Sequence, residues 1–193
     1  MDFLRKIADS SPLPAGGAAV AYTLGLAIGL LNKIILLEIH RRADQPELEK
    51  NLMTAKRELE RLLKDVEQLV KQDAETFERF RHSKQTGDQV KIELEFNGVI
   101  EVNMKVMQNS DAAFEWIRQL YPMVPNWMVP HLLVASELIM GSINGSAHVV
   151  RANLQGLKSS QKKNNYLKRL ANLQADYQQK YCDIIEKLLP EPR

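Results

Sequence analysis

The apolar segment from residue 15 to residue 37 constrains the fold of this chain more than any other feature. It contains no charged residue before Lys33, so a helix formed by it has no polar face to turn toward water. Such a helix is surrounded either by other helices or by lipid. Four glycines, Thr23 and Asn32 interrupt the segment, and no second segment of this kind follows it. We therefore predict a buried, Gly/Ala-rich central helix and no membrane span.

A loop rich in proline and glycine, residues 10–18, leads into this helix. Pro12 and Pro14 favour an extended backbone, whereas Gly16 and Gly17 allow another segment or a ligand to approach closely. The first N–H groups of a helix have no partner within it, so the loop offers a possible anion site. Close packing of helices explains the same glycines, and spacing alone favours that simpler interpretation.

Small residues recur at intervals of four in two parts of the chain. In the central helix they are Ala21, Gly25 and Gly29, and further along they are Gly141 and Gly145. A face without large side chains allows a second helix backbone to pack against it. We expect these two faces to meet each other.

The composition is that of a globular protein, with 45% hydrophobic residues among 193. This length suffices for one domain over residues 1–193 with a substantial core. The single cysteine, Cys182, excludes an intrachain disulfide, and the N-terminus lacks the order of a signal peptide, so we expect a cytoplasmic location. The 26 basic residues nearly match the 24 acidic ones, so neither nucleic acid nor membrane is an expected partner.

A long amphipathic helix is predicted from about residue 47 to residue 81. Its buried stripe steps by three and four residues through Leu52, Ala55, Leu59, Leu62, Val66 and Leu69. The same step continues through Asp73, Thr76 and Phe80, which places a carboxylate where an apolar side chain is expected. Burial raises the pKa of a carboxyl group and is one way to produce a general acid or base. A cap or cross-link to a neighbouring helix explains Asp73 equally well.

The remaining helices are predicted with different clarity. Residues 2–8 form a short helix or turn, the central helix ends near residue 40, and further helices cover about 131–155 and 166–189. Between residues 88 and 98, alternating apolar residues and the pair Asn97-Gly98 favour a hairpin, whereas helical spacing begins at Val99. We predict a helix from Val99 onward and leave 88–98 open. The fold class is all-α, a multihelical bundle of long and short helices.

The motifs of several enzyme classes are missing. The four histidines show no i,i+4 pairing for zinc, and neither a serine elbow, a Walker-type loop nor a dinucleotide fingerprint occurs. Acid–base chemistry remains, in a pocket between helices. Its expected lining is the glycine-rich helix start, Asp73 and the polar residues Asn144, His148, Arg151 and Asn153.

Three blocks of sequence, in order, resemble the cyclodeaminase/cyclohydrolase family of folate enzymes. The blocks are residues 11–21 (SPLPAGGAAVA), residues 73–77 (DAETF) and the segment from Gly145 to Leu154. The family includes the cyclodeaminase domain of formiminotransferase-cyclodeaminase and the methenyltetrahydrofolate cyclohydrolases. No single block is specific, but the ordered combination is fairly so, and the chain is about one family domain long.

The resemblance implies an all-helical domain in a homodimer or a larger assembly, which acts on a tetrahydrofolate derivative without a metal or a prosthetic group. The reaction is either the ring-closing loss of ammonia from a formimino-folate or the hydrolysis of a methenyl-folate, and the sequence does not distinguish them. Asp73 matches the family's aspartate and becomes the candidate acid/base. The implied substrate-binding residues are Pro14, Ala15, Gly16, Gly17, Ala18, Lys84, His131, Arg151 and Asn153.

Four polar positions of the family pattern are changed in this chain. Ala18 stands where the family has a serine, Pro130-His131 where it tends to have Ser-Asp, and Val149 where it has the first asparagine of an Asn-Val-x-x-Asn pattern. These losses favour an alternative, a catalytically degenerate member that binds a small ligand or serves as a dimeric structural or regulatory protein. Trp127, in an apolar loop, is expected at a subunit contact.

Overall fold

The computed structural model describes residues 2–42 and 46–189. These residues form six α-helices and two 3-10 turns, and no strand occurs among them. The all-α prediction is therefore confirmed. The elements are α1 (Asp2–Ile7), α2 (Gly16–Arg41), α3 (Pro46–Thr86), α4 (Gln89–Leu120), the 3-10 turns Tyr121–Met123 and Asn126–Met128, α5 (Val129–Leu154) and α6 (Ser160–Leu188).

Four helices, α2 to α5, form the core of the bundle. Each packs antiparallel to the next, and α2 closes the set because it contacts both α3 and α5. The last helix, α6, packs outside this set against α5 and α4. The short α1 contacts α2 through Phe3, whose ring stacks on that of Tyr22 at a centroid distance of 4.2 Å.

The central helix predicted from the sequence is α2. Its inner side chains are almost completely shielded from solvent, among them Leu24, Ile28, Leu31, Ile34 and Ile35. Among the residues that the structure describes, α2 is the one helix whose length and composition would allow it to cross a membrane, a test that core helices also pass. Here it lies against α3, α4 and α5.

The predicted stripe of α3 is confirmed along its whole length. Every apolar member from Leu52 to Leu69 is buried, and so are the three residues that continue it. Asp73 is 5% exposed, Thr76 6% and Phe80 7%. The carboxylate thus lies inside the protein, as the helical step required.

The hairpin interpretation of residues 88–98 is wrong, since α4 runs unbroken from Gln89 through Asn97-Gly98. Gly87 has φ +70°, a conformation that ends α3 at little cost, and Asp88 caps α4 by accepting hydrogen bonds from the N–H groups of Val90 and Lys91. The residue that ends α3 and the residue that caps α4 are therefore adjacent in the sequence. The apparent strand alternation has no structural counterpart, because Val90 and Leu94 are both exposed.

The contact between small-residue faces occurs in a different register from the predicted one. A methyl group placed on Gly145 would lie 2.4 Å from Val20 Cγ1, so α5 packs closely on α2 at Val20. Gly25 instead faces Val66 of α3. Beside Gly29 and Gly141 there is open space.

An ion cluster around the buried Glu38 ends α2, and the sequence analysis did not anticipate it. Glu38 is 0% exposed and accepts hydrogen bonds from Arg41 Nε and Nη2 and from Arg42 Nε, at 2.7–3.0 Å. Arg42 Nη2 also donates to the carbonyl oxygen of Met123, at 2.7 Å. The cluster therefore ties the end of α2 to the 3-10 segment before α5.

The final helix also begins earlier than predicted. Ser159 caps α6 by accepting a hydrogen bond from the N–H of Lys162, so residues 160–165 already belong to this helix.

Candidate active site

The carboxylate of Asp73 lies directly against the N-terminus of α2. A methyl group placed on Gly17 would lie 1.9 Å from Asp73 Oδ1 and 2.7 Å from Oδ2, so the absence of a side chain there makes room for the carboxylate. The N–H of Ala18 donates a hydrogen bond to it. Asn103 Nδ2, on α4, donates a second one to Oδ1, at 3.3 Å. Three helices thus hold this one group.

The anion site predicted at the start of α2 is partly occupied by the protein's own carboxylate. The first bond within the helix runs from Ala19 N–H to the carbonyl of Ala15, at 3.0 Å. Of the three N–H groups before it, that of Ala18 serves Asp73. Those of Gly16 and Gly17 have no partner among residues 2–42 and 46–189. Two donors therefore remain for a ligand beside the carboxylate.

The electrostatic state of Asp73 reflects opposing effects. Burial raises the pKa of its carboxyl group, and the hydrogen bonds from Asn103 and Ala18 partly oppose that rise. The net effect is a pKa above the ordinary value of a carboxyl group. A carboxyl group in this condition exchanges protons near neutral pH more readily than one on the surface.

The C-terminal half of α5 forms the opposite wall at the start of α2. A methyl group on Gly16 would lie 3.7 Å from Val149 Cγ2, so Val149 presents an apolar surface to the helix start. Ser142 donates its hydroxyl hydrogen to the carbonyl of Val20, at 2.8 Å. One turn further on α5, Ser146 is completely buried and its hydroxyl has no partner in the described part of the chain.

Arg151 and Asn153 lie at the same end of α5 as Val149, but their side chains have local partners. Arg151 Nη2 donates to Gln174 of α6. Asn153 Nδ2 donates to the carbonyl oxygen of Val149, at 2.9 Å. Both residues are thus near the helix start, and neither is oriented by a contact with Asp73.

Lys84 and His131 are not brought to Asp73. Lys84 is eleven residues further along α3, a rise of about 16 Å, and its Nζ lies 4.7 Å from the ring centroid of Phe80. His131 precedes Val149 by eighteen residues on α5, a rise of about 27 Å. We therefore leave both out of the proposed site.

Asn144 and His148, the other polar residues expected in the lining, are both exposed on α5, and among the described residues neither bonds to Asp73. A cavity of about 390 Å³ lies between the C-terminal ends of α4 and α6, around Ile117 and Ile184. Ile117 follows Asn103 by fourteen residues, a rise of about 21 Å along α4. That cavity is separate from the start of α2.

The residue that sequence reasoning missed is Asn103. It continues the apolar stripe of α4, between Val99 and Val106, and is 0% exposed. The signal was the same as for Asp73, a polar residue at a buried position of a helical repeat.

Comparisons with known proteins decide the family. A family model described as formiminotransferase-cyclodeaminase matches residues 1–172. The chain belongs to the formiminotransferase-cyclodeaminase family. The resemblance drawn from the three sequence blocks is thereby confirmed. A comparison with curated proteins found no match.

A solved structure gives independent support for the fold of this family member. The crystal structure of formiminotetrahydrofolate cyclodeaminase from Thermotoga maritima superposes with a TM-score of 0.86 and 18% sequence identity, covering 97% of this chain and 93% of that one. At this identity the likeness establishes the fold alone. The chain therefore has the folate-related cyclodeaminase-type fold, and its chemistry rests on its own residues.

Proposed function

We propose that this family member is a folate-dependent one-carbon enzyme of the cyclodeaminase or cyclohydrolase type, with Asp73 as its acid/base. The observation that supports this most strongly is the buried carboxylate at the start of α2, held by Ala18 and Asn103. Free N–H groups of Gly16 and Gly17 lie beside it for the polar part of a ligand. The loop residues Pro14 and Ala15 complete the proposed binding region.

The same group serves either reaction. In ammonia loss, a neighbouring folate nitrogen attacks the formimino carbon and passes its proton to Asp73. Asp73 then gives this proton to the amino group on the same carbon, which leaves as ammonia when its bond to that carbon breaks. In hydrolysis, Asp73 accepts a proton from the attacking water and returns it to the ring nitrogen as the bond between that nitrogen and the one-carbon unit breaks. The remaining hydroxyl proton passes to solvent as the carbonyl of the 10-formyl form is made. A positioned acid/base contributes about 10²- to 10⁴-fold in rate.

One observation favours a second candidate function, a non-catalytic ligand-binding or structural member of the family. Val149 places methyl groups against Gly16, at a position where the resemblance implies an asparagine. Ala18 likewise offers no hydroxyl at the helix start. Such a protein would bind a folate, or only dimerise, without turnover.

Turnover by purified protein separates these functions. Absorbance follows methenyltetrahydrofolate in both assays: its loss measures hydrolysis, and its formation from the formimino compound measures ammonia loss. The proteins compared are wild type, Asp73→Asn and the control Glu75→Gln. Glu75 is an exposed carboxylate two residues away on α3. We expect Asp73→Asn to lose about 100-fold or more and Glu75→Gln to keep wild-type activity. Equal activity of the Asp73→Asn variant would remove Asp73 from the mechanism.

A thermal-shift measurement with folates accompanies the assay. Stabilisation without turnover in the wild type would favour the binder, and neither effect would favour a structural role. The single-domain organisation over residues 1–193 and the cytoplasmic location remain predictions.

We also propose a homodimer, because five exposed large apolar side chains lie on the adjacent helices α2 and α5 and in the loop that leads into α5. They are Leu26, Leu36 and Leu37 of α2, Val134 of α5 and Trp127, with exposed fractions between 38% and 60%. Apolar surface of this kind is typical of subunit contacts.

A further inference from the structure

The side-chain amide of Asn103 has an arrangement that simple packing does not explain. The residue is 0% exposed, and its Nδ2 lies 3.3 Å from Asp73 Oδ1 and 3.2 Å from the carbonyl oxygen of Val99. Its Oδ1 is buried too, and no group in the described part of the chain donates a hydrogen bond to it.

The backbone of α4 determines which way this amide faces. The carbonyl of Val99 can only accept a hydrogen bond, so the NH₂ group of Asn103, and not its oxygen, must point toward it. The same NH₂ group then faces Asp73. The orientation leaves Oδ1 unsatisfied, which is costly inside a protein. An apolar side chain of similar size would fill this space without that cost.

The fixed amide discriminates between the two protonation states of Asp73. It presents a donor and no acceptor, so it bonds more strongly to the ionised carboxylate than to the neutral acid. The N–H of Ala18 acts in the same direction. We propose that Asn103 is a positioning residue that holds Asp73 against α2 in its ionised, proton-accepting form. This inference rests on the proposed function, in which Asp73 must accept a proton.

Among the described residues, no charged side chain shifts the pKa of Asp73, and the groups that bond to it are Asn103 and the N–H of Ala18. On α2 the facing residues are Gly17 and Ala18, and on α4 the facing residue is Asn103 itself. Within α3, the neighbours one turn away are Leu69, Val70, Thr76 and Phe77. None of these titrates at working pH, so the donors decide how readily Asp73 ionises.

A carboxyl-carbon NMR titration of Asp73 tests the proposal without any need for turnover. The Asp73 signal is identified by its loss in Asp73→Asn. In Asn103→Leu, of similar size but without a donor, we expect the acid dissociation constant of Asp73 to fall about ten- to a hundredfold. The matched control is Ser110→Ala, because Ser110 is also fully buried on α4 and bonds only to the carbonyl of Val106, at 3.0 Å.

A second variant keeps the test decisive if Asn103→Leu does not fold. Asn103→Ser retains a hydroxyl that reaches the Val99 carbonyl but is too short to reach Asp73, so the same fall is expected. An unchanged dissociation constant in a folded Asn103 variant, or an equal change in Ser110→Ala, would overturn the proposal.

The pH dependence of kcat provides the readout in the enzyme. Its acidic limb is expected to move to higher pH in the Asn103 variants, with kcat recovering at high pH, and to stay in place in Ser110→Ala. If no form of the protein turns over folate, the proposed function fails while the NMR result still decides the role of Asn103. If turnover is observed and the titration of Asp73 does not move, the inference alone fails.

Discussion

Replacing Gly17 by alanine is the sharpest perturbation of the site that the structure offers. The new methyl group would lie 1.9 Å from Asp73 Oδ1, about 1.6 Å closer than the shortest favourable contact between nonbonded heavy atoms. Its Cγ would be only 2.5 Å away, so rotation of the carboxyl group alone cannot relieve the clash. The carboxylate must leave its place and give up the hydrogen bonds from Ala18 and Asn103.

The magnitude follows from those two bonds. A hydrogen bond to a charged group contributes about 1.5–3 kcal/mol, so losing both costs about 3–6 kcal/mol. Alanine in place of glycine within a helix returns about 0.5–1 kcal/mol. We therefore expect Gly17→Ala to lower the free energy of unfolding by about 2–5 kcal/mol and to reduce turnover to the level of Asp73→Asn.

Urea unfolding followed by circular dichroism measures the effect, with Gly25→Ala as the matched control. Gly25 lies on the same helix, and a methyl group there would meet Val66 Cγ1 at 3.6 Å, an ordinary contact. That variant is expected to gain about 0.5–1 kcal/mol. In an Asp73→Ala background, Gly17→Ala should cause little further loss, because the clashing atoms and both hydrogen bonds are already gone. The reasoning is refuted if Gly17→Ala is as stable as Gly25→Ala.

Three further predictions concern charge and association. Because folding raises the pKa of Asp73, its contribution to stability is greatest below its ordinary pKa of 3.8 and is lost as the pH rises through the folded-state value. Asp73→Asn should therefore become more stable relative to wild type as the pH rises. A difference in the free energy of unfolding that does not vary with pH would contradict this. Glu38→Gln should cost about 1–2 kcal/mol in the same urea assay, because it weakens the charged hydrogen bonds to the partly exposed Arg41 and Arg42. The exposed Glu67→Gln should change stability by less than about 0.5 kcal/mol. Trp127→Lys should convert a dimer to a monomer by light scattering after gel filtration, and a wild type that is monomeric at all concentrations would rule out the proposed dimer.

Helical periodicity was sufficient to find Asp73, because burial in a long amphipathic helix repeats with the turn. The stripe from Leu52 to Phe80 continued through Asp73 without a break in phase, so its burial followed from the residues before and after it. Asn103 carries the same signal in α4 and could have been found in the same way.

Long-range contacts could not be predicted from such patterns. Periodicity gives the buried face of each helix but not the register between two helices, so the pairing of Gly145 with Val20 was not predictable. The buried charge of Glu38 is paired with Arg42, and Arg42 is held in turn by the carbonyl of Met123, which is distant in the sequence. In the same way, the separation of His131 from the start of α2 follows only from the antiparallel packing of α5.

A crystal structure with a bound folate tests the central claim most directly. We predict that the one-carbon unit of the ligand lies about 2.6–3.2 Å from a carboxylate oxygen of Asp73, with polar atoms of the folate on the N–H groups of Gly16 and Gly17. A folate bound elsewhere, such as the cavity beside Ile117 and Ile184, with Asp73 still enclosed by Gly17, Ala18 and Asn103, would contradict the account.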